Sequence, residues 1–191
     1  MTLLILGLLT FLGVHSISIF APGWRAAQTE RRGDAAWKGI YSLVSIAGFL
    51  LLIYGYGVAR QSPVVLYTPP TFTRHIALLL MLPVFPLLFA AYLPGRIKAG
   101  AKHPMLLAVK LWALAHLLAN GTLHDVTLFA AFLVWAVADR ISVKRRPVAR
   151  PVPGAPPSPM NDAIAVVGGL AAYAVFVLWA HLKLIGVSPL G

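Results

Sequence analysis

Two of the chain's six histidines, two of its lysines and an asparagine fall within Lys102–Gly121, KHPMLLAVKLWALAHLLANG, a run otherwise apolar enough to cross a bilayer. A charged side chain at membrane depth costs roughly 2.5–3.5 kcal/mol on insertion scales, so several polar groups on one such helix point to a use. At 100° per residue, Trp112, His116 and Asn120 share one i, i+4 stripe. His103 and Lys110, seven residues apart, define a second stripe well round the helix. The first stripe has the makings of a ligand surface, the second of a polar edge reaching toward the cytoplasm.

The other histidines are His15, inside a second apolar run with Ser16 and Ser18 beside it, and His75, His124 and His181. No acidic residue falls in mid-membrane, which argues against a carboxylate dyad, an Asp/Glu proton relay and a carboxylate-held metal. A Ser-His-Asp triad would lack its buried acid. Cysteine is absent, so disulfides and thiolate chemistry are excluded; no Walker loop or GxGxxG is present. Neutral imidazole remains, and buried imidazoles suit haem iron held by axial histidines. Spacing alone leaves His15 and His116 open between that role and a hydrogen-bonded core residue. His75 and His124 are expected at span starts, facing headgroups or water, and His181 is an alternative ligand toward the outer side. His103, just before Pro104, and Lys110, unless it snorkels, are placed to meet an anionic group such as a haem propionate.

The elements that position these groups follow from composition. Of 191 residues 59% are hydrophobic and 11% charged, against about 25% charged in soluble domains. The fold class is therefore an all-α integral membrane protein, a bundle of about six transmembrane helices. The apolar runs place spans at 2–20, 39–59, 74–93, 103–121, 123–141 and 162–187. The first lacks a basic leader and is read as an uncleaved helix. Between the first two spans, Ala21–Lys38 reads as a basic loop with Trp24 and Trp37 as interfacial anchors. Pro83 and Pro86 should kink the third span. Thr122 and Asp125 have capping-box spacing for the fifth, and Asn161 or Asp162 should cap the sixth. Residues 142–160 read as a flexible, basic, proline-rich cytoplasmic linker.

A net charge of +11 would suggest nucleic acid in a soluble chain. Here the basic residues crowd into short loops, so a lipid bilayer is the expected partner and nucleic acid is not. Twelve of them lie in the first, third and fifth loops, against Arg60 and Arg74 on the other side. The positive-inside rule then puts both termini in the periplasm and the protein in a bacterial inner (cytoplasmic) membrane.

The His15–Ser16 pair late in the first span, with Lys102-His103-Pro104 and the W-x-L-A-H-x-L-x-N-G run from Trp112 to Gly121, resembles the NnrU family over nearly the whole chain. That family is named for a role beside nitrite and nitric oxide reduction in denitrifying bacteria. The resemblance implies an accessory or electron-transfer factor, with nitric oxide reductase or another respiratory membrane complex as partner. The family is also similar to 15-cis-zeta-carotene isomerase, a membrane enzyme that uses haem b. The match carries that enzyme's two haem ligands onto His15 and His116, and implies a haem-dependent isomerase of a carotenoid-like polyene as the alternative function. The isomerase has a cysteine three residues before its second ligand, where this chain has Ala113, so ligand exchange through a thiol is closed to it. A weaker similarity, His-Pro followed by a helix, is to isoprenylcysteine-type membrane methyltransferases, whose acidic and Arg-Glu elements are missing.

Overall fold

The computed structural model describes residues 1–146 and 154–191. Among these residues the chain is helical, with one isolated β-bridge, Val65 to Thr122, and no strand. It divides into two compact units, Met1–Tyr67 with Gly121–Arg145, and Thr68–Asn120 with Arg146–Gly191.

In the first unit α1 (Thr2–Phe20) packs along α3 (Asp34–Ala59) and also against α8 (Leu123–Arg145). Glycine brings α1 and α3 together. A Cβ on Gly48 would stand 2.8 Å from the Phe11 backbone nitrogen, and one on Gly7 would stand 2.5 Å from that of Leu52. One on Gly55 would overlap the backbone of Leu3 and Leu4. Lipid tails give no hydrophobic drive between helices, so this close approach supplies the dispersion contact that holds them. Between α1 and α3 the expected basic loop is instead α2 (Pro22–Arg32), with Pro22 at its first turn. Helix α3 begins at Asp34, five residues before the expected start, after Gly33 turns the chain at φ 79°. Proline at a first helical position and glycine at a helix end are a start and a stop signal, outweighed in the sequence by the density of charge. Trp37 is buried, edge-on to exposed Trp24 at 5.6 Å, so Trp24 alone of the pair has the exposure of an interfacial anchor.

In the second unit the expected kink divides one span into α4 (Thr71–Met81) and α5 (Val84–Tyr92). Pro83 has no N–H, and the Leu82 N–H turns to Leu79 rather than to Leu78. The Leu78 carbonyl thus left over accepts the Tyr173 hydroxyl from α9 (Asn161–Val175) at 2.8 Å. A freed carbonyl at this depth needs such a partner. A short α6 (Arg96–Ala101) leads to α7 (Pro104–Ala119) through Lys102, whose φ of 59° and ψ of −43° make a γ-turn closed by the His103 N–H on the Ala101 carbonyl. Helix α7 packs on α4 and α5, with Ala108 set among Val84 and Leu87. The α9 helix ends in a π-helical turn, Phe176–Ala180, followed by α10 (His181–Ile185).

Five helical stretches are long and apolar enough to cross a membrane: Thr2–Phe20, Asp34–Ala59, Thr71–Tyr92, Leu123–Arg145 and Asn161–Ile185. Pro104–Ala119 is shorter; sixteen residues at 1.5 Å each reach about 24 Å. Helix α8 continues four residues into the expected linker, and residues 147–153 of that linker lie outside the described part of the chain. Asn161 and Asp162 do not cap their own helix. Asp162 accepts the backbone N–H groups of Arg96 and Ile97 at 2.8 and 3.0 Å, and Asn161 donates to the carbonyls of Pro94 and Pro156. Both side chains cap a turn 65 or so residues away, because its orphaned groups have nothing nearer.

Candidate functional site

His15 lies four residues after Phe11 on α1, and its Nδ1 is 2.7 Å from the Phe11 carbonyl. A carbonyl only accepts, so Nδ1 carries the proton and Nε2 of the neutral ring keeps its lone pair. Backbone anchoring of one imidazole nitrogen is the usual way a protein orients the other toward a metal. Around the ring stand Phe11 at 4.3 Å, Tyr41 of α3 at 5.3 Å and Trp135 of α8 at 6.0 Å between centroids, the last at 87° to it. Phe49 and Phe132 extend this apolar cage beyond Phe11. Arg25 of α2 and Asp139 of α8 are within electrostatic range of the Tyr41 hydroxyl. The Trp135 indole nitrogen is buried and has no hydrogen-bond partner among the described residues.

His116 repeats the anchoring on α7. Its Nδ1 meets the Trp112 carbonyl at 2.8 Å and its ring tilts against Trp112 at 5.4 Å. The expected Trp112–His116–Asn120 stripe thus forms, and Asn120 Nδ2 donates to the His116 carbonyl at 3.0 Å. Ala113 is fully buried on the same helix and offers only a methyl group. His103 is the residue before α7, where its side chain does not cap the helix. Lys110 is half-buried midway along α7, with no hydrogen bond or ion pair to another described residue. His181 holds the Val187 carbonyl through Nδ1 at 2.6 Å and stands edge-on to Phe176. His75 is exposed, as expected.

His124 contradicts its expectation. It is buried, 5% exposed, beside an equally buried Asp125, and Tyr56 of α3 covers it edge-on at 5.3 Å. Asp125 accepts the Tyr56 hydroxyl on one oxygen and the Thr122 hydroxyl on the other, each at 2.5 Å. The Thr122 oxygen is 3.0 Å from His124 Nε2, and Nε2 is 3.7 Å from the Asp125 carboxylate. A buried acid is therefore present after all, at the first turn of α8, where the positive end of the helix favours a carboxylate. The capping-box spacing marked the residue but not its burial. Its covering partner, Tyr56, is 69 residues away, and Val64–Tyr67 closes over the turn through backbone bonds to Gly121 and Leu123. Thr122 donates to Asp125, so its hydroxyl is not aimed for attack, and the cluster has the pairing of a structural knot. Among the described residues no three His, Cys, Asp or Glu side chains converge as a metal site.

No curated protein and no solved structure matches the chain. The family described as NnrU protein matches residues 3–189. That span takes in both anchored histidines and the buried knot, and the chain belongs to the NnrU family.

Proposed function

We propose that this NnrU protein binds haem b in the bacterial inner membrane and supports nitrite and nitric oxide reduction as an accessory or electron-transfer factor. The observation that carries the reading is the shared tautomer of His15 and His116: each gives its Nδ1 proton to the carbonyl four residues back, which makes Nε2 the nitrogen with a lone pair. This is the donor set haem iron takes. Each is a candidate axial ligand. Lys110 and His103 offer positive charge or a donor to propionates, which are costly at a membrane edge when unpaired.

Haem, when bound, supplies one-electron redox chemistry. The chain's own part is to fix the two imidazoles by their backbone bonds and to keep water from them with the Phe11, Tyr41 and Trp112 rings. Turnover of a cis-polyene is the alternative. Ala113, where the isomerase has its thiol, favours the accessory role. The expected partner is nitric oxide reductase or another respiratory complex of the same membrane, with both termini of the chain in the periplasm.

The test is a reduced-minus-oxidised spectrum of the purified protein with a pyridine haemochrome assay. A b-type spectrum is expected; no Soret absorbance after haem supplementation would sink the proposal. Incubation with a cis-polyene decides the alternative, since an accessory factor leaves the polyene unchanged. A reporter that works only in the cytoplasm, fused after Gly191, should be silent.

A further inference from the structure

The His15 cage contains two complementary groups that do not satisfy each other. His15 Nε2 is an acceptor with no hydrogen bond among the described residues, and Trp135 Nε1–H is a buried donor with none. Their rings are 6.0 Å apart and perpendicular. Leaving a buried donor unpaired costs about 1–3 kcal/mol, and no water is at hand in a bilayer core to relieve it. The nearest helical solution, a bond from the indole to the imidazole, would use up the lone pair. A single group carrying both a Lewis acid and a hydrogen-bond acceptor would complete both residues at once.

We propose that Trp135 is a haem-binding residue, donating its indole N–H to a carboxylate of the haem whose iron His15 takes; this rests on the haem reading above. Haem b has both parts, an iron for the imidazole and carboxylates for the indole. Arg25 of α2, in electrostatic range of the Tyr41 hydroxyl beside the His15 ring, would be a second partner for that carboxylate. Asp139 is in range of that hydroxyl too, with the opposite charge. Trp135 sits one turn before Asp139 on α8, toward the end of the helix that carries Lys144 and Arg145, so the carboxylate would lie on the basic side of the chain.

The experiment titrates haem-free purified protein with haem b and with its dimethyl ester, in which both carboxylates are blocked, and follows the Soret band. Wild type should bind haem b at least about tenfold more tightly than the ester, the scale of one hydrogen bond to a charged group. In Trp135→Phe the preference should shrink severalfold while the Soret position, set by iron ligation, stays in place. Arg25→Gln, on the short helix α2, should shrink it as well and keeps the test open if Trp135→Phe does not fold. A Soret band with an unchanged preference in the tested variant would overturn the Trp135 proposal and leave haem binding standing, as would equal binding of haem and ester by wild type. No Soret band in wild type would overturn both.

Discussion

His15 and His124 belong to the same unit, yet one is an open valence and the other a closed one. His15 spends one nitrogen on its own helix, and its ring stands among rings that carry no charge. His124 lies against a hydroxyl and a carboxylate that are themselves paired, Thr122 to Asp125 and Asp125 to Tyr56. Both imidazoles are at least half-buried in an apolar chain. Burial therefore does not separate a ligand from a structural residue here. What separates them is whether the polar groups around the ring satisfy one another, and only the His15 cage leaves a donor, Trp135 Nε1–H, over.

That contrast can be broken from either side. The largest effect is expected for Asp125→Ala, which leaves the Tyr56 and Thr122 hydroxyls buried without their acceptor. Each buried hydroxyl left without its acceptor costs about 1–3 kcal/mol, so thermal unfolding in detergent should show a marked drop in Tm, while the folded fraction keeps its Soret band. Next comes Gly48→Leu, which forces a side chain against the backbone of Phe11. Overpacking costs about 1–3 kcal/mol, and because the Phe11 carbonyl anchors His15, this variant should lose haem as well as stability. Tyr56→Phe removes one hydrogen bond to a carboxylate, about 1.5–3 kcal/mol, and should shift Tm without touching the spectrum. Should Tyr56→Phe strip haem while Gly48→Leu does not, the two regions have been assigned the wrong way round.

Much of this was legible in the residues. Hydropathy finds the spans because a bilayer imposes length and composition on each one separately. The kink at Pro83 is readable because a missing N–H is a local property. His15 and His116 stand out as imidazoles in apolar runs. What stayed hidden depends on partners distant in sequence. Asp125 looks like a helix cap until Tyr56 is brought over it, and Asn161 and Asp162 look like caps of their own helix until the Pro94–Ile97 turn arrives. Tyr41 and Trp135 carry no spacing signal toward His15, being on α3 and α8. Helix α2 was masked by its charges, which read as a loop although Pro22 and Gly33 bracket a helix.

The most direct measurement compares the Soret bands of purified His15→Ala and His124→Ala protein after identical haem supplementation. His15→Ala should shift or lose the band, since the iron loses an axial imidazole. His124→Ala should keep the wild-type band at a lower Tm, with stability reduced by at least about 2 kcal/mol for a buried ring removed from a paired cluster. A His15→Ala protein with an unaltered Soret band, or a His124→Ala protein that folds as wild type and has lost it, would contradict the account.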